Sequence, residues 1–296
     1  MIQPKTFGIW GNTEKNIFWE TLPKILDWSR ENGITAHLTE RILSSDTGVD
    51  YNQPVIHSKE DIAKMDFMLV LGGDGTFLSC ARAVEHRSTP ILGIHLGDLG
   101  FLAKVTLEDI FQRLDRVASG DFTVEKRAMA QAIIHKSGNE KTHIGLNDFV
   151  VKNGESHRML TGRVHIDDHL VSIYKADGLI VATPTGSTAY SLSSGGPIIT
   201  PDVDSFVVTP ISPHSLTSRP LVVSANSTVR IDFPGEEDNI IFTTDGQLHE
   251  TLDPTCSIEI TRADFDIGLI DFIDNDYFQT LRTKMGWGRR GEGLDN

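Results

Sequence analysis

Phe67–Ser79 reads "FMLVLGGDGTFLS". The apolar run Phe67–Leu71 has the length of a buried strand. Gly72-Gly73-Asp74-Gly75-Thr76 then makes a turn, and "TFLSCARAVEHR" (76–87) has helical spacing. A strand–turn–helix unit builds parallel α/β sheets, in which ligands bind at the carboxyl ends of the strands. Glycines in the turn let backbone N–H groups approach an oxyanion, and the helix N-terminus adds partial positive charge. The aspartate runs against this pattern, because a carboxylate repels phosphate. Asp74 therefore calls for a metal, a proton transfer or a structural bond. Read as structure alone, the turn is an ordinary strand–helix connection with Asp74 as a cap.

The neighbouring segments extend the same pattern. Lys5–Gly11 reads as a strand, and Ile17, Phe18, Thr21, Leu22, Ile25 and Leu26 follow at helical spacing up to a stop at Gly33. "ITAHLT" (34–39) and Pro90–Gly97 read as further strands, 41–57 reads as loop, and Ser58–Asp61 as a capping box. Thr106–Asp109 opens a helix that Gly120 ends. From Phe122 to about Ile270 most segments are strand-like, including "HIGLNDFVV" (143–151) as one strand. The expected fold is thus an α/β N-terminal domain with a Rossmann-like parallel sheet (1–103) and a mostly-β C-terminal domain (104–270). A helical tail (271–296) returns to the first domain.

Composition narrows the partners. The chain has 296 residues, 39% hydrophobic and 23% charged, with a formal net charge of −14. That balance describes a globular protein and argues against bulk nucleic acid or an anionic membrane as partner. A phosphorylated small molecule needs only a local positive site. Cys80 and Cys256 are far apart, with no CxxC, which argues against a disulfide framework or a cysteine-based zinc site. No secretory signal or membrane span is read, so a cytoplasmic location is expected.

A second unusual stretch is "DGLIVATPTGSTAYSLSSGGPI" (177–198). Its turn is dense in hydroxyls and small residues, which suits a surface for sugars, amides or phosphates. The plainer reading is a polar loop with caps. GxxxxGK, HExxH and GxSxG are absent. The formal GxGxxG at Gly286–Gly291 follows a helical pattern rather than a strand, so it lacks the context of a dinucleotide fingerprint.

Taken in order, "GGDGT", "LGDLGFLAKV", "NDFVV", "DGLIVATPTGSTAYSLSSGGPI", "PHSLTSRPLVV" and "TTDGQ" resemble the bacterial NAD kinase (ATP-NAD kinase) family over nearly the whole chain. GGDGT alone is similar to an element of diacylglycerol-type lipid kinases and, more loosely, of 6-phosphofructokinases. The long hydroxyl-rich run separates this chain from both. The resemblance implies phosphorylation of NAD by ATP at the 2′-hydroxyl of the adenosine ribose, giving NADP. It also implies a divalent metal, usually magnesium, and a homo-oligomer, commonly a tetramer or dimer.

The resemblance further implies roles for residues. Asp74 is the general base, with magnesium offsetting its repulsion of phosphate. Gly72, Gly73, Gly75 and Thr76 form the phosphate and ATP turn, with Gly75 also against NAD. Asn147 and Asp148 match the family's Asn-Glu pair. Thr188, Ala189, Tyr190, Ser191, Leu192 and Ser193 match the element that wraps the dinucleotide, and Asp177 an acid that binds substrate. Arg158, Lys175 and Gln247 match further contacts. Three departures stand out. Asp148 is one methylene shorter than glutamate, so a contact from it to a ribose would be longer or water-bridged. His95 and Asp98 stand where the family often has asparagine. Two other readings stay open on the sequence: a lipid or sugar kinase sharing the turn, and a non-catalytic dinucleotide sensor in which Asp74 is structural.

Overall fold

The apolar runs of the first hundred residues form the parallel sheet they predict. Its strands lie side by side in the order Val55–Ile56, Thr35–Thr39, Thr6–Gly11, Phe67–Gly72 and Ile91–His95. The last of these pairs at Ile91 with Leu269 near the end of the long strand Ser257–Asp271. The structure, a computed structural model, describes residues 3–45, 51–97, 99–154, 158–236 and 238–287. The chain divides into two compact units. One runs to Lys126 and resumes at Gly268, and the other is Arg127–Ile267.

In the first unit, the helices Asn16–Glu31 and Ile110–Ser119 bury one face each on the sheet. Phe18, Leu22, Ile25 and Trp28 from one, and Ile110, Leu114 and Val117 from the other, join Phe7, Phe67, Leu69 and Leu71 in a single core. Phe7 and Phe67 stack across neighbouring strands at 5.1 Å, and Trp28 Nε1 donates to Asp115 Oδ1 at 2.7 Å, tying the two helices. This explains why the unit boundary falls at Lys126 and not at the expected 103/104. Helix Ile110–Ser119 supplies core to the sheet, so the α/β unit is incomplete without it. Gly120 ends that helix in the left-handed region, at φ 79°, and the Ser58–Asp61 capping box forms as expected.

The second unit is built of antiparallel strands. Leu221–Ser224, Ser205–Ile211, Gly178–Ala182, Asp148–Asn153, Ile240–Thr244 and Leu248–Leu252 make one sheet of six. One face packs Phe149, Val151, Leu179, Val181, Phe206 and Phe242 against Leu160, Val164, Val229, Ile231 and Ile258 of the other strands. The opposite face buries Val150, Ile180, Ala182 and Val207 under Ile199. Burial on both faces is why "GLIVA" and "SFVV" run apolar without alternation. Both cysteines are free and buried.

Four expectations change. "HIGLNDFVV" is not one strand: Asn139–Gly145 and Asp148–Asn153 belong to different sheets, and the chain breaks at Leu146–Asn147. The strands His169–Ala176, whose polar and apolar residues do not alternate cleanly, and Leu248–Leu252, short and mostly polar, were missed. Within the expected loop 41–57, Glu40–Leu43 is a short helix and Val55–Ile56 a short strand. The tail helix is Tyr277–Met285, and the formal GxGxxG beyond it reaches outside the described residues. Among the described residues, no helix is long and apolar enough to cross a membrane.

Leu114 is fully buried between sheet and helix. Leu114→Ala is expected to lower unfolding free energy by about 2–5 kcal/mol, read by urea denaturation. A variant as stable as the parent would remove helix Ile110–Ser119 from the core.

Candidate active site

Asp74 opens the helix Asp74–Val84, directly after the strand Phe67–Gly72, with Gly73 as N-cap. Its carboxylate faces the chain's own backbone. Oδ2 accepts from Phe101 N at 3.0 Å, and Oδ1 from Leu102 N at 3.1 Å and Ala103 N at 3.2 Å. Three successive amides therefore converge on one carboxylate. Gly100 makes this approach possible, since a Cβ there would lie 2.0 Å from Asp74 Oδ1. Gly72 lies under Thr76, where a Cβ would meet Oγ1 at 2.2 Å, whereas a Cβ on Gly73 would meet nothing within 4 Å. Protein packing thus requires a glycine at 72 but leaves open space at 73.

The segment that grips Asp74 is itself tied down. Lys15 Nζ donates to Leu96 O at 2.9 Å, Lys284 from the tail helix donates to Leu99 O, and the Lys284 ammonium lies 5.5 Å from the Phe101 ring centroid. The tail helix thus folds onto the first unit through this segment. His95 is buried, with Nδ1 2.6 Å from Gly97 O, so it serves the same segment. Asp98 lies outside the described residues.

The second unit repeats the device. Asp245 follows the strand Ile240–Thr244 and is 6% exposed. Its Oδ2 accepts from Leu146 N at 3.3 Å, and its Oδ1 from Asn147 N at 2.7 Å and Asp148 N at 3.3 Å. These amides serve the carboxylate rather than a sheet ladder, which is why "HIGLNDFVV" breaks there. Around the break lies a cleft of about 380 Å³, lined by Asn147, Asp148, Lys152, Ala189, Tyr190, Thr243, Asp245, Gly246 and His249. Lys152 Nζ donates to the Tyr190 hydroxyl at 2.8 Å and lies 4.7 Å from its ring centroid. Burial, with the Asp245 charge second, pushes the Asp148 carboxyl up to about 7.

The hydroxyl-rich turn folds mainly by bonding to itself. Thr183 Oγ1 donates to Leu146 O at 2.5 Å, Ser187 Oγ to Pro184 O at 2.6 Å, and Ser191 Oγ pairs with Thr209 Oγ1 at 2.9 Å. Gly186 passes so close to Asn147 that a Cβ would lie 2.0 Å from its carbonyl oxygen. These hydroxyls hold the turn against Asn147 instead of presenting a uniform ligand surface.

Of the residues singled out in sequence, Asn147, Asp148, Ala189 and Tyr190 come together in the cleft. Ser191 is buried behind it; Thr188 and Leu192 are half-buried and Ser193 exposed on the same short helical turns. Lys175, Asp177, Arg158 and Gln247 are exposed and do not line it. Asp74 with its turn belongs to the first unit and the cleft to the second. Sequence reading missed Asp245, Lys152 and His249. The signal for Asp245 was present, since Asp245-Gly246 repeats Asp74-Gly75 after an apolar strand.

Known proteins match both parts. The ATP-NAD kinase N-terminal domain matches residues 29–122 and the C-terminal domain residues 146–272. An NAD kinase of Syntrophotalea carbinolica is 42% identical over 268 residues, covering 90% of this chain and 93% of the relative. One from Caldanaerobacter subterraneus subsp. tengcongensis is 36% identical over 282 residues, covering 95% and 99%. The yeast NADH kinase, solved with NADH, superposes with a TM-score of 0.88 at 25% identity, covering 100% of this chain and 91% of the other. With both domains matched and relatives at this identity over nine-tenths of its length, the chain belongs to the NAD kinase family.

Proposed function

We propose that the chain transfers the γ-phosphoryl group of ATP to the 2′-hydroxyl of the adenosine ribose of NAD, giving NADP and ADP. The observation that carries the chemistry is the fixed Asp74 carboxylate beside the open Gly73 turn at a helix N-terminus. Family membership supplies the substrate class.

In this reading the phosphates rest against the 72–76 turn, and Asp74 orients the attacking hydroxyl. A carboxylate has about four acceptor positions. The backbone uses three of them, and Oδ2, which takes only Phe101 N–H, keeps one for the hydroxyl. As the ribose oxygen forms its bond to phosphorus, its proton passes to Oδ2, and the bond from phosphorus to the ADP oxygen breaks. Phosphoryl transfer depends mostly on positioning and charge stabilisation, and backbone bonds that fix the carboxylate supply the positioning.

A divalent ion, expected to be magnesium, would neutralise phosphate charge. Magnesium is commonly held by one or two carboxylates together with substrate phosphates. Among the described residues no three His, Cys, Asp or Glu side chains converge as a cage; in the proposed reading the ion would come with the triphosphate, with Asp74 nearby. Asn147, Asp148 and Tyr190 would receive the dinucleotide. A cytoplasmic homo-oligomer belongs to the same proposal.

Two variants test it, by NADP formation from NAD, ATP and magnesium. Asp74→Asn is expected to lower kcat by roughly 10²–10⁴-fold. Its amide would also turn N–H toward the Phe101 amide or surrender Oδ1, so a stability loss of about 1–3 kcal/mol is expected alongside. Full activity in this variant would end the base assignment. Retained NAD binding without turnover in the parent protein would favour a sensor.

Gly100→Ala keeps the carboxylate but must displace it. The expected outcome is a kcat loss of at least about tenfold at unchanged net charge, because misplacement of a catalytic group costs rate. Parent-like kcat would mean that the Phe101–Ala103 clamp is irrelevant to catalysis.

A further inference from the structure

Asp148 is 4% exposed and Asp245 6% exposed, and both line the same cleft. The two carboxyls are not equivalent. Asp245 receives three backbone N–H groups, an arrangement that suits a charged acceptor. Asp148 lies buried beside that fixed charge, and in a dry site two neighbouring carboxylates do not both ionise readily.

The surroundings offer Asp148 little compensation. Its partner on the adjacent strand is Ala182. The 183–189 turn contributes only Thr, Pro, Gly, Ser and Ala, and Tyr190 after it adds a phenol. Thr243 comes from Ile240–Thr244, and His249 from Leu248–Leu252. Lys152, further along Asp148's own strand, is committed to the Tyr190 hydroxyl and ring face.

We propose that Asp148 meets the dinucleotide as a neutral carboxylic acid, donating its proton in a hydrogen bond to a ring nitrogen or oxygen of the ligand, so that binding is proton-linked. This rests on the reading of the cleft as the dinucleotide site. It gives the Asp in place of the family's Glu a specific role as a donor. It also relieves an anionic ligand of a second negative charge in the cleft.

The direction follows from linkage. The Asp148 pKa is raised to about 7 by burial first and by Asp245 second. Below that value the free site already carries the proton, and affinity is flat with pH. Above it, binding must take up a proton, and affinity falls by up to about tenfold per pH unit. The same shift acts on folding. The stability contributed by Asp148 is fully present below the unfolded value of 3.8 and is lost as pH rises to about 7.

Calorimetric titration of the full chain with NAD tests this, from about pH 6 to about pH 9, in two buffers of different ionisation enthalpy. The expected result is uptake of close to one proton at the alkaline end and almost none at the acid end. Asp148→Asn, an amide donor of similar shape, should bind at about pH 6 within roughly threefold of the parent and lose the pH dependence. His249→Gln should keep it. Urea midpoints should show the parent losing stability relative to Asp148→Asn between pH 3.8 and about 7.

Affinity that rises with pH, binding without proton exchange, or transfer of the linkage to His249 would overturn the proposal alone. So would a folded Asp148→Asn that binds more than about 30-fold more weakly at the acid end, where an acceptor carboxylate would have been lost. Absence of NAD binding at every pH would overturn the reading of the cleft, and the proposal with it.

Discussion

An aspartate carboxylate held by three successive backbone N–H groups is the interaction on which this structure depends, and it occurs in each unit. Asp74 gathers Phe101, Leu102 and Ala103, and Asp245 gathers Leu146, Asn147 and Asp148. Buried amides without partners are costly, so each segment is fixed only while its carboxylate is in place. The first clamp fixes Asp74 at the start of its helix, next to the Gly72–Gly73 turn. The second breaks what would be a continuous strand and opens the cleft that receives Asp148. Both carboxylates lead an Asp-Gly pair at the end of a strand, so one local solution fixes a loop segment in each unit.

This reframes the question that Asp74 raises in the sequence. The repulsion between a carboxylate and phosphate is offset first by the backbone. Asp74 faces amides, with one acceptor position left over, and the space in front of Gly73 stays open. Under the proposed function, structural and catalytic roles are therefore not rivals at this position. The bonds that make Asp74 structural leave one acceptor position on Oδ2, the one the proposed function assigns to a hydroxyl. The chain is acidic overall, at −14, and the cleft of the second unit contains two buried acids. In the proposed reading, a proton on one of them would let an anionic ligand enter without facing two charges.

Much of the fold was legible because local period and burial agree. The runs at Thr6–Gly11, Phe67–Gly72 and Ile91–His95, and the apolar face of Asn16–Glu31, are fixed by local pattern. The α/β-to-β change of class is visible for the same reason. What stayed hidden depends on contacts distant in sequence. Nothing near residue 146 announces that its N–H, and those of Asn147 and Asp148, will leave the ladder for a carboxylate some hundred residues on. Likewise, "TPTGSTAYSLSS" looks like ligand surface until its hydroxyls find Leu146, Pro184 and Thr209. Of the residues lining the cleft, Asn147, Asp148 and Tyr190 had been singled out through family resemblance. Lys152 needed the register of the sheet, whereas Asp245 was signalled by its Asp-Gly pair after an apolar strand.

The most direct measurement of the central claim is amide hydrogen exchange resolved to single residues, in the parent protein and in Asp74→Asn. Clamped amides should exchange slowly although they lie in loops. The account predicts protection at Phe101, Leu102 and Ala103 in the parent, and exchange at least about tenfold faster there in Asp74→Asn. Leu146, Asn147 and Asp148, held by Asp245, should be unchanged. Fast exchange at 101–103 in the parent, or equal protection in the variant, would contradict it.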